Sequence, residues 1–203
     1  MNELRYTPIN PNWFYSYVDV PNLEAIRKEL INAVIAGECG VRTNPTAYNI
    51  YKEELLGSCH ELHKYLKDMQ LLHKFDRLLI TKKTSGEADN MVHVDTYDPK
   101  YLTQSLNIGL IDYEGSYTSW HATEETKLHD TAQFGMVPDR NFAFIEMDKT
   151  KEVCRLYYDT RAVLVNTTIL HRGNAQKANR IICGLRFVPD LTDKELIRLG
   201  VVK

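Results

Sequence analysis

His93-Val94-Asp95 lies in a short apolar run, and His171 closes a second such run far downstream. Side chains alternate across a β-strand, so residues two apart share a face. His93 and Asp95 are therefore expected to point together into the interior, with Val94 turned away. One imidazole and one carboxylate from one strand, joined by a second imidazole from its neighbour, make a facial set of two histidines and a carboxylate. Such a set holds non-haem Fe(II) on one side and leaves positions open on the other. The competing reading is a surface polar pair with His171 capping a loop, and the residues that follow weigh against it.

Arg180 comes after His171 and opens the last apolar run, Arg180 to Phe187. A planar guanidinium with paired donors receives a carboxylate held deep in a barrel. Two chelating positions at a metal plus one distant carboxylate describe 2-oxoglutarate. Arg186 has the same face parity, but at about 3.3 Å per residue it falls roughly 20 Å farther along the strand. That distance assigns the cosubstrate to Arg180 and leaves Arg186 as a structural ion pair near the barrel's other end. Asn107 faces inward if Leu106 and Ile108 face out, either as a cosubstrate or substrate contact or as a satisfied core amide.

Weaker candidates surround these. Cys59, His60 and His63 share a helical turn, and zinc there lacks an evident fourth ligand. His121 and His129 follow the Tyr117–Trp120 run and read as solvated loop histidines, with lining of the barrel mouth or alternative ligation as the other options. Tyr97, Tyr117 and Trp120 are either pocket walls or plain core.

The elements that must position these residues fall into two textures. Pro21-Asn22 opens a helix carrying Leu23, Ile26, Leu30 and Val34, and Gly37 and Gly40 stop it. A second helical region is expected over 47–75, with a stripe through Leu55, Leu62, Leu66 and Met69 and a break at Gly57-Ser58. From 76 onward, short β-favouring runs alternate with turn-rich stretches: 78–81, 91–95, 105–111, 117–120, 142–145, 153–158, 162–165, 169–171 and 180–187. Thr192-Asp193-Lys194-Glu195 is a capping box that starts a final helix. The expectation is one α+β domain: helical support over 1–75 packed on the larger sheet, a jelly-roll core over 76–188 and a short helix over 189–203.

Composition bounds the partners. With 43% hydrophobic and 26% charged residues, the chain is neither disordered nor fibrous. A net charge of −2 without a basic stripe gives no clear nucleic-acid footprint and counts against anionic membranes. No apolar run approaches the roughly 20 residues of a membrane span. Met1-Asn2-Glu3-Leu4-Arg5-Tyr6 lacks the layout of a signal peptide, and four scattered cysteines without a C-x-x-C pair suit a reducing, cytoplasmic setting.

Taken in order, His93-Val94-Asp95, Ser105–Leu110, Val165–Gly173 and Arg180–Phe187 resemble the Fe(II)/2-oxoglutarate-dependent dioxygenases, in particular the aspartyl/asparaginyl β-hydroxylase-like branch with its small bacteriophage-type members. The resemblance spans roughly 76–188 and departs from that branch at Ile182 and Gly109. It implies a double-stranded β-helix, iron at His93, Asp95 and His171, and 2-oxoglutarate at Arg180. The implied activity converts 2-oxoglutarate, O2 and a substrate C–H to succinate, CO2 and an alcohol, with the substrate open. The alternative is a non-catalytic, cupin-like jelly roll that binds a ligand or serves a structural role.

Overall fold

The computed structural model describes residues 3–5, 13–35, 41–44, 47–83, 91–95, 104–125, 127–130, 143–175 and 180–201. In chain order its elements are β1 (Glu3–Arg5), β2 (Tyr15–Val18), α1 (Leu23–Ile35), β3 (Val41–Asn44), β4 (Ala47–Tyr51), α2 (Lys52–Leu55) and α3 (His60–Asp68). There follow β5 (Phe75–Lys83), β6 (Met91–Val94), β7 (Gln104–Ile111), β8 (Tyr117–Ala122), β9 (Lys127–Asp130) and β10 (Ala143–Glu146). The chain ends with β11 (Lys151–Tyr157), β12 (Ala162–Asn166), β13 (His171–Asn174), β14 (Arg180–Phe187) and α4 (Asp193–Arg198).

Among the described residues these strands make two antiparallel sheets of 7 strands each, ordered β1-β9-β10-β6-β13-β8-β11 and β2-β12-β7-β14-β5-β4-β3. The non-consecutive neighbours are the crossovers of a jelly-roll, double-stranded β-helix core.

Strand alternation builds the layers. On β5, β7 and β14, Leu78, Ile80, Leu106, Ile108, Cys183, Leu185 and Phe187 face one way. They meet Ile26 and Leu30 of α1, Leu62 and Leu66 of α3, and Leu196 of α4, so the helices cover the outer face of this sheet. The intervening residues Thr81, Lys83, Ser105, Asn107, Arg180, Ile182, Gly184 and Arg186 face the other sheet and line a cavity. Next to that cavity the sheets are held by a second core of Trp120, Leu156, Tyr158, Val163, Val165, Ile169 and Ile182. A third cluster, Val92, Val94, Leu128, Ala143, Ile145 and Leu170, backs β6 on the side away from His93.

Several expectations need correction. Among the described residues the two sheets have equal strand numbers, so neither is the larger there; the helices lie on the sheet that contains β14. The first 75 residues contribute strands as well as helices, because β2 pairs with β12 and β4 pairs with β5. The helical region expected over 47–75 is β4, α2 and α3, with the break at Gly57-Ser58 in place. Strand β9 carries His129, which is not a loop residue. His171 opens its strand instead of closing one. No described helix is long and apolar enough to cross a membrane.

Candidate metal centre

His93 sits on β6 and is the direct cross-strand partner of His171 at the start of β13. Asp95 lies just beyond β6, where its backbone N–H donates to Thr167 O at 3.0 Å. That pairing places both imidazoles over one carboxylate. The ring centroids of His93 and His171 are 4.5 Å apart, and each Nε2 lies 3.6 Å from Asp95 Oδ1. One donor atom from each residue falls within 4.8 Å of the others, the one such grouping among the described residues.

The tautomer of His171 supports ligation. Its Nδ1 is 2.8 Å from Ile169 O; a carbonyl only accepts, so Nδ1 carries a proton and donates it, and Nε2 is the ring atom turned to the interior. A ring fixed by a hydrogen bond from its second nitrogen is the usual arrangement of a metal-binding histidine. The other oxygen of Asp95, Oδ2, accepts from Arg186 Nη2. Burial pushes the Asp95 carboxyl up, but Arg186 and the two imidazoles outweigh it and hold the group well below the usual carboxylate range. Asp95 is thus an anion with Oδ2 engaged and Oδ1 turned to the two Nε2 atoms. Two imidazole nitrogens and one carboxylate oxygen fit a divalent first-row metal.

The adjoining cavity, about 150 Å³, runs between the sheets from this triad to Arg180 and Lys83. Arg180 is 4% exposed, and its Nη1 donates to Asn174 O at 3.1 Å. Asn107 lines the same cavity. Its Oδ1 accepts from Ser105 Oγ at 2.6 Å, and its Nδ2 donates to Tyr158 Oη at 2.9 Å. Tyr158 Oη is also 3.0 Å from Thr118 Oγ1. Gly184 makes room for this chain: a Cβ there would lie 2.3 Å from Ser105 Oγ and 2.9 Å from Asn107 Oδ1. Lys83, Arg180, Arg186 and Asp95 are the charged side chains, histidines aside, among the described residues that line the cavity.

The structure brings His93, Asp95, His171, Asn107 and Arg180 to one cavity. It relocates Arg186, which pairs with the triad's own carboxylate and not at a distant barrel end. The expected separation was measured along the backbone, whereas the cavity itself extends along β14 and long side chains reach within it. Lys83, Tyr158 and Thr118 went unassigned by the sequence; Lys83 shares its face of β5 with Leu79 and Thr81, which also line the cavity.

The remaining candidates lie elsewhere. His121 is buried on β8 between Ser119 Oγ at 2.9 Å and Thr150 Oγ1 at 3.0 Å. His129 stands 3.6 Å from Glu146. Trp120 is core, its indole N–H donating to Asn166 O at 3.0 Å. Tyr117 packs on Tyr157 and under Arg155. Cys59 is buried and His60 is exposed, and no metal grouping forms there among the described residues. Tyr97 lies outside the described residues.

No family model matches the chain, and no curated protein does. Solved structures align with it, and the first described here shares its fold. A prolyl-4-hydroxylase of Pseudomonas putida aligns with a TM-score of 0.51 at 12% identity, over 90% of this chain and 96% of that one. A Trichoplax adhaerens prolyl hydroxylase in complex with a hypoxia inducible factor peptide aligns at 0.49 and 9% identity, over 96% and 90%. HygX from Streptomyces hygroscopicus, with nickel and 2-oxoglutarate bound, aligns at 0.48 and 10% identity, over 90% and 85%.

Proposed function

We propose that this chain is an Fe(II)- and 2-oxoglutarate-dependent oxygenase that hydroxylates its substrate, with succinate and CO2 as co-products. The observation that carries the reading is the union, in one cavity, of a two-histidine, one-carboxylate donor set with the buried Arg180. A structural jelly roll has no need of either. Iron bound there would supply the redox chemistry that activates O2. His93 and His171 would hold it through Nε2 and Asp95 through Oδ1, while Ile169 O and Arg186 keep those atoms aimed. Arg180 would take the distal carboxylate, so that the keto acid chelates in one orientation. Asn107, held at both ends by Ser105 and Tyr158, gives the side wall fixed polarity. The aspartyl/asparaginyl hydroxylase-like type remains part of this reading, as does a single functional unit over 1–203.

The test is anaerobic Fe(II) loading followed by 2-oxoglutarate and O2, reading metal content and succinate. The expected result is one iron per chain and slow succinate release even without substrate. His93→Ala, Asp95→Ala and His171→Ala each abolish both readouts, while Val94→Ala keeps the iron and lowers only Tm. Full iron occupancy in Asp95→Ala would overturn the ligand set.

A further inference from the structure

The outer face of the sheet that carries the triad holds a buried cation with no ion-pair partner among the described residues. His171 and Gly173 line the cavity, so alternation along β13 turns Arg172 to the opposite side of the sheet. There it stands across from Ser119 of β8, which in turn stands across from Arg155 of β11. Arg172 is 5% exposed. Its one hydrogen bond among the described residues runs from Nη1 to Met147 Sδ, a weak acceptor, and its Nε is buried without a partner. The polar groups around it are engaged with one another. Thr150 Oγ1 donates to Met147 O at 2.8 Å and so accepts from His121 Nδ1 at 3.0 Å, while His121 Nε2 lies 2.9 Å from Ser119 Oγ. Glu152, the carboxylate across from His121, is gripped by Arg155 through Nε at 2.8 Å and Nη2 at 2.7 Å. A guanidinium taken out of water without a carboxylate costs stability, and an incoming anion restores it.

We propose that Arg172 is the floor of a binding site for a small oxyanion, a carboxylate or a phosphate, on the back of the strand that carries His171. The Nε–Nη2 edge of the guanidinium is the half left free among the described residues, and two parallel N–H donors match two oxygens of either group. Met147 is the cover. It sits in the 3-10 turn Met147–Lys149, is 42% exposed and touches the guanidinium with its sulfur. Its unbranched side chain has three rotatable bonds on which to swing aside. The site stands whether or not the cavity binds 2-oxoglutarate, because none of these residues lines that cavity.

The experiment follows the Tm of the full-length protein by calorimetry in potassium phosphate, potassium formate and potassium chloride at matched ionic strength. The wild type should show a saturable gain of at least about 3 °C over chloride with phosphate or with formate, and the more effective of the two names the source of the oxyanion. Arg172→Met should lose the saturable gain, keeping only the general stabilisation that phosphate gives any fold. In chloride it should melt about 3 °C or more above the wild type, because a buried charge without a partner has been removed. A structural arginine would do the reverse, so a Tm in chloride at or below that of the wild type overturns the site. If Arg172→Met does not fold, Arg172→Lys takes its place: it keeps a cation, loses the fork and should cut the saturable gain at least about threefold. No saturable gain in the wild type with either anion, or an equal gain in the folded Arg172 variant, likewise overturns it.

Discussion

Arg186 shows how one side chain can serve a metal site without touching the metal. Its guanidinium occupies Asp95 Oδ2, so the carboxylate presents a single oxygen, Oδ1, to the gap between two imidazoles. Arg186 Nη1 is buried and makes no hydrogen bond among the described residues, so the group is committed to that one carboxylate. Removing it would leave Asp95 Oδ2 without the donor that orients it. Arg186→Met should therefore weaken Fe(II) affinity by about 10- to 100-fold, the range seen when outer partners of metal ligands are lost. Arg186→Lys should recover part of it, because a point charge replaces a fork. Competition against a coloured chelator reads both, and iron affinity in Arg186→Met equal to wild type would reduce the contact to a simple ion pair. At this scale the sequence is most informative where parity alone suffices. The shared face of His93 and Asp95 and the inward turn of Asn107 are read from alternation, and His171 is read as the second imidazole from a neighbouring strand. The partner of Arg186 does not follow, since a side chain's reach across a cavity is set by strands that a single run of residues does not reveal.

At the scale of elements, β14 is the organising strand. It is buried on both faces, with Ile181, Cys183, Leu185 and Phe187 against the helices and Arg180, Ile182, Gly184 and Arg186 against the cavity. Its far end passes to α4, whose capping box doubles as an anchor. Glu195 Oε2 accepts from the Thr192 backbone N–H at 2.7 Å, from Thr192 Oγ1 at 2.8 Å and from Lys74 Nζ at 2.6 Å. Burial pushes the Glu195 carboxyl up, but Lys74 and Thr192 more than offset this and bring it down to about 2. A carboxyl depressed on folding contributes stability that is present above its unfolded value and lost as pH falls through the folded one. The contribution, on the order of 2 to 3 kcal/mol for this depression, should thus be complete above about pH 5 and gone near pH 2. Glu195→Gln should lower Tm at neutral pH and flatten the acid limb in that window, as followed by thermal melts from pH 2 to 7. An unchanged acid limb would mean that the pair exists without stabilising the fold. The capping box was legible because its spacing is local. The strand character of 47–51 was not, because it depends on β5 as a pairing partner, and helical periodicity in the following residues extends over it.

The whole molecule depends on its first 75 residues in two separate ways. The main core is shared across residue 75: Val18, Ile26, Leu30, Ile50, Leu55, Leu62 and Leu66 come from before it, and Leu78, Ile80, Leu106, Ile108, Cys183 and Leu185 from after it. Cutting there strips the outer face of the β14 sheet and exposes a row of apolar side chains to water at about 25 cal/mol for each Å² uncovered. The same cut removes strands from both sides of that sheet. β2 shields β12 and β4 shields β5, so their loss leaves two open edges lined by unpaired backbone groups. One edge, β12, is fully buried in the intact protein, with Ala162, Val163, Leu164, Val165 and Asn166 all inside, so it has no charged residue to discourage association. The cavity-lining residues all lie in the retained part, which makes the fragment a sharp test: it keeps every proposed ligand and lacks only support. A chain of residues 76–203 should be insoluble, or else collapsed with exposed apolar surface, without a cooperative melt and without stoichiometric Fe(II). Dye binding, calorimetry and metal analysis on the refolded fragment measure these properties. A soluble fragment that melts cooperatively and binds one iron would show that the jelly roll folds without its helical cover.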